Sequence, residues 1–86
     1  MAKQYQGHPS WNAWNVALWI ANEEWLYRAG VEACKQSTTW RGAVRRFDAA
    51  TGVLGARTPD GARYNPKSVR LALQGLEVPL MKRKAA

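Results

Sequence analysis

The chain is short of nearly everything that active-site chemistry needs. It has one histidine, His8, and one cysteine, Cys34, in 86 residues. A lone cysteine excludes an intramolecular disulfide, and with it a small secreted fold stapled by bridges. One histidine and one cysteine also fall short of the ligands that a structural zinc site requires. No apolar run is long. Val16 to Ala21 is six residues, against the ~20 that a helix needs to cross a bilayer. Residues 1–6 carry no apolar signal region, so a cytoplasmic protein with no membrane partner is the expectation. Acidic residues are scarce too, 6 against 13 Lys and Arg.

What is present points to one small globular domain. Hydrophobic residues make up 47% of the chain and charged residues 22%, which is not the composition of a disordered segment. So short a chain encloses only a small core. Five tryptophans could replace a larger aliphatic interior, since each ring buries a large area. The charge is uneven. Residues 1–40 carry Lys3, Arg28 and Lys35 against Glu23, Glu24 and Glu32, so the whole net charge of +7 lies in residues 41–86. A pI near 10.2 is high for solubility alone and suggests an acidic or polyanionic partner.

The apolar spacing predicts four short helices. Residues 1–9 read as an N-terminal arm and 10–80 as a single helical domain. Residues 81–86 read as a basic C-terminal tail. Ser10 is placed to cap a first helix that is apolar nearly all round and therefore expected at the centre. Asn22, followed by Glu23 and Glu24, signals a second start. That helix carries Leu26, Ala29, Gly30, Ala33 and Cys34 on its inner stripe. The Ser37-Thr38-Thr39 cluster precedes a third helix with Trp40, Ala43, Val44, Phe47, Ala50 and Leu54 at spacings of three and four. Asn65 with Pro66, or Ser68, opens a fourth helix that buries Val69, Ala72, Leu73 and Leu76. Thr58-Pro59-Asp60-Gly61 between them is a turn. The fold class is mostly α, a compact bundle of four short helices. An alternative reading adds a small β-hairpin near residues 53–65.

Catalytic constellations are poorly represented. His8 reads as a solvated arm residue and Cys34 as a small buried hydrophobe. Glu23 and Glu24 are adjacent and so do not face each other on a helix. No glycine-rich phosphate loop precedes a lysine. A non-enzymatic role, without metal or cofactor, is the expectation.

Two groups of residues are candidates for binding. Asn12, Asn15, Trp19 and Asn22 follow one line along the first helix. Facing solvent, they would form an aromatic patch lined by amides, suited to an interface. Facing inward, Asn15 would bond a loop and tie elements together. Arg41, Arg45 and Arg46 on the third helix form the second group. With Lys82, Arg83 and Lys84 they could instead touch the phosphates of DNA or RNA. Arg45 and Asp48, three apart, could also pair with each other. Trp11, Trp14 and Trp40 read as core rings.

Trp14-Asn15-Val16-Ala17-Leu18-Trp19-Ile20-Ala21-Asn22-Glu23-Glu24, then Leu26-Tyr27, resembles the opening motif of a family of small phage proteins of unknown function. Thr58-Pro59-Asp60-Gly61, with Tyr64 and Pro66, resembles that family's later landmark. The resemblance covers most of residues 10–80. It departs at Ala13, where the family often has Thr, and in the basic second half. It implies no activity and no catalytic residues. It does imply a phage or prophage accessory gene acting in the bacterial cytoplasm. Gene products of that kind often bind and disable a host protein. The leading expectation is therefore a non-enzymatic phage protein that binds, and inhibits or redirects, a host bacterial protein with an acidic or DNA-like surface. Its contacts would come from the Trp19 line or the basic face. The runner-up is a small basic DNA- or RNA-binding protein. A self-assembling structural component of the phage comes third.

Overall fold

The computed structural model describes residues 7–82. Arg83, Lys84 and most of the N-terminal arm lie outside that range. Four helices follow in order: α1 Trp11–Asn22, α2 Glu24–Lys35, α3 Trp40–Thr51 and α4 Pro66–Gly75. Three begin with a side-chain cap. Ser10 accepts from the Ala13 amide, Thr39 from Gly42 and Asn65 from Ser68. Each satisfies an amide that the first turn leaves without a helical partner. Gly52 closes α3 with φ at +68°, a conformation that costs glycine little.

The start of α2 differs from its expected form. Asn22 is the last residue of α1 and donates its side-chain amide back to the Leu18 carbonyl at 2.7 Å. Glu23 takes the cap position without a side-chain bond. It interrupts the two helices for one residue, its own N–H still donating to Trp19. With no loop between the helices, Asn22 has no room to act as a separate cap.

α1 packs most extensively on α4, and α2 on α3. α1 and α4 run in the same direction. Asn12 meets Ser68 near their starts, and Ala21, Asn22, Gly75 and Leu76 line one hollow near their ends. At Gly30 of α2 a Cβ would come within 2.9 Å of the Leu76 side chain and 3.1 Å of Leu73. The missing side chain lets the end of α4 seat closely. The interior is mostly aliphatic: Val16, Ile20, Leu26, Val69 and Leu73 surround Phe47 and Cys34.

None of the five tryptophans is buried. Trp14, Trp19 and Trp40 are half-buried, while Trp11 and Trp25 are exposed. The core expectation for Trp11 is thus corrected. α1 turns Ala13, Val16 and Ile20 inward. At 3.6 residues per turn, Trp11 and Leu18 fall on the opposite side. Trp40 is half-buried and packs against the core, while Phe47 and Tyr64 are the rings inside it. Ala50, expected on the α3 stripe, is exposed as well.

Residues 52–65 cross from α3 to α4 as a loop closed like a minimal hairpin. One antiparallel bridge pairs Arg57 with Arg63. The Thr58 amide donates to Ala62, and Tyr64 donates to Ala56. Gly61, at φ +94°, makes the turn. No helix among the described residues is long and apolar enough to cross a membrane.

Candidate functional site

The row of amides on α1 meets the 57–63 turn. Asn12 accepts from the Arg63 amide at 2.7 Å through its side-chain oxygen. Its nitrogen donates to the Arg63 carbonyl and to the Ser68 hydroxyl, each at 2.9 Å. Asn15 is only 2% exposed. It accepts from the Thr58 hydroxyl at 2.7 Å and donates to Asp60 at 2.9 Å. Thr58 in turn accepts from the Ala62 amide. Trp19 donates its indole N–H to the same Asp60 oxygen at 2.9 Å. These two donors hold the Asp60 carboxyl below its ordinary pKa. Asn22 takes no part and bonds within its own helix.

The solvent-facing version of this stripe therefore does not describe Asn15, which faces inward and bonds the turn. The turn that Asn15 bonds lies more than 40 residues downstream of it. A buried asparagine with both ends engaged fixes that register, because any slip leaves its amide unsatisfied.

The cations form a different arrangement. Arg41 and Arg45 of α3, with Lys67 and Arg70 of α4, line a groove of about 820 Å³ between the two helices. Its apolar lining, or floor, is buried Val44, half-buried Trp40 and Leu54, and exposed Pro66. All four cations are exposed. The only ion pair among the described residues is Arg28 with Glu24, one turn apart on α2. The Arg45–Asp48 pair does not form. Asp48 accepts from the Leu54 amide at 3.0 Å and holds the loop that leaves α3. The groove draws on the N-terminal halves of α3 and α4, and neither first turn contains an acidic residue. The positive ends of the helix dipoles add to the side-chain charge.

Arg46 lies apart from Arg41 and Arg45. It borders a hollow with Ala29, Glu32, Gln36 and Ala49, on the α2 side of α3. One residue along a helix is a turn of about 100°, which separates it from Arg45. Lys82 is exposed beyond the last packed residues. Lys67 and Arg70 are not among the cations that the sequence singles out. Their signal is that they lie outside the Val69, Ala72, Leu73 stripe of α4, which makes them outward cations.

The titratable groups are dispersed. His8 borders a hollow with Trp14, Leu18 and Leu76 that holds no carboxylate, hydroxyl or thiol. Burial pushes the Cys34 thiol up, away from the reactive thiolate. Tyr64 is raised by burial and by the charge of Glu23. No group of three or more His, Cys, Asp or Glu among the described residues could hold a metal ion. The arrangement with the strongest unused chemistry is the groove, which offers cations around an apolar floor. A model of a family of unknown function, DUF7249, matches residues 1–84. No curated protein and no solved structure matches the chain.

Proposed function

The chain belongs to the family of unknown function DUF7249, and we propose that it is a non-enzymatic binding protein that engages an acidic surface of a partner protein through the α3–α4 groove. The observation that carries this reading is the set of four exposed cations around an apolar floor, without a carboxylate paired to any of them among the described residues. Complementary charge steers encounter and selects the partner, while the apolar floor supplies the buried contact that holds it. The resemblance of the Trp14–Tyr27 segment to small phage proteins supplies the setting. The partner is then a host protein in the bacterial cytoplasm, which the phage protein inhibits or redirects.

The test is a tagged pull-down from bacterial lysate, with and without nuclease, read by mass spectrometry. A single protein retained in stoichiometric amount after nuclease is the expected result. Capture that disappears with nuclease would replace this reading with DNA or RNA binding, in which affinity falls steeply with salt.

A further inference from the structure

We infer that the α3–α4 groove docks an acidic peptide segment of the partner, one that seats a bulky apolar side chain between carboxylates. The inference rests on the binding role proposed above and adds the chemistry of what is bound.

Each wall of the groove carries a pair of cations one helical turn apart. Arg41 and Arg45 are four residues apart on α3, and Lys67 and Arg70 are three apart on α4. Such pairs suit carboxylates spaced about 5–7 Å apart, as on one turn of a helix or on alternate residues of an extended strand. Arginine presents a planar fork to a carboxylate, and lysine a point charge. The first turns of both helices, at Trp40 and Arg41 and at Pro66 and Lys67, border the same groove and add positive potential there.

The floor decides between classes of polyanion. Val44, Leu54 and Pro66 have no face on which a base can stack, and Trp40 is the single aromatic ring there. Single strands are held by stacking on successive rings as well as by phosphate contacts. Phosphates laid across aliphatic side chains would lose hydration without gaining donors. An acidic peptide with an apolar anchor satisfies both parts of the site. Its anchor buries against the floor while its carboxylates stay at the rim, the arrangement that dominates protein interfaces.

The experiment titrates the full chain by calorimetry at physiological salt with three probes. These are a synthetic peptide with one phenylalanine flanked by glutamates, the same peptide with alanine for phenylalanine, and an oligothymidylate. The phenylalanine peptide is expected to bind. Replacing its anchor should weaken binding by about tenfold or more. Two paired variants, Arg41→Glu with Arg45→Glu and Lys67→Glu with Arg70→Glu, should each weaken it by about tenfold or more. Alanine at the same positions gives a milder version of each pair if a reversal disturbs the helix. Equal binding of the two peptides would overturn the inference, as would indifference to both charge pairs or tighter binding of the oligothymidylate. If the peptide fails while a nuclease-resistant protein is still captured from lysate, this inference falls and the binding role stands. Capture that vanishes with nuclease removes the binding role itself.

Discussion

Two rows of polar side chains run across this molecule, and they end differently. Along α1, Asn12, Asn15 and Trp19 direct their donors and acceptors onto the 57–63 turn. Across α3 and α4, Arg41, Arg45, Lys67 and Arg70 stand around an apolar groove with no paired carboxylate among the described residues. The first row is uncharged, and its key member is buried. The second is charged and exposed. A row of polar residues in a sequence marks a binding face only where its bonding capacity is left over after folding. The α1 row has little left, and the groove has nearly all of it.

Mutation should separate the two rows by stability. Asn15→Ala removes two long-range bonds and leaves the Thr58 hydroxyl proton without its acceptor, the Ala62 amide bond to that oxygen remaining. It should cost about 2–4 kcal/mol, a large share of the ~4–13 kcal/mol expected of a domain this size. Urea denaturation measures it, and a loss below about 0.5 kcal/mol would mean the α1 row does not hold the turn. Asn12→Ala lies nearer the surface and should cost about 1–2 kcal/mol by the same assay. Reversing the four groove charges should change stability by only about 0.5 kcal/mol in either direction, while abolishing partner capture. Unfolding of that variant under ordinary conditions would place the groove with the α1 row.

Acid titration sharpens the comparison at a single group. The Asp60 carboxyl is held below its ordinary pKa by the side-chain bonds from Asn15 and Trp19. Unfolded aspartate titrates near ~3.9. A folded value below that adds stability that is fully present above the unfolded value and is lost as pH falls through the folded one. Asp60→Asn should therefore flatten the fall in stability below about pH 4. Trp19→Phe, which keeps the ring and removes the donor, should raise the Asp60 pKa in a carboxyl shift titration. An Asp60 pKa that ignores the loss of this donor would contradict the geometry.

Much of the fold was legible because its signals are local. Ser10, Thr39 and Asn65 cap as their side chains and positions suggest, and the α2 and α4 stripes face the core, with Ala29 and Leu76 half-buried at its edge. The hairpin alternative survives as one bridge, since its turn chemistry is local too. Trp11 differs from the core expectation because the buried line of α1 runs through Ala13, Val16 and Ile20, on the opposite side of the helix, whereas Trp40 packs against the core. Asn22 does not cap α2 because the helix break is one residue long and Glu23 fills the cap position. Half of the groove could be read from the spacing of Arg41 and Arg45. Lys67 and Arg70 join it only because α4 packs beside α3, a contact between residues more than 20 positions apart that no local pattern encodes. Arg46, adjacent to Arg45 in sequence, lies on another face for the same helical reason that brings Arg41 and Arg45 together.

The most direct measurement is a nuclease-treated lysate capture run in parallel on three baits, all verified as folded by circular dichroism. They are the wild-type chain, the Trp19→Phe variant and the variant with Arg41, Arg45, Lys67 and Arg70 all changed to Glu. The same single protein is expected on wild type and on Trp19→Phe, and none on the four-charge variant. Retention by the four-charge variant, or loss by a folded Trp19→Phe, would rule out the groove as the binding face.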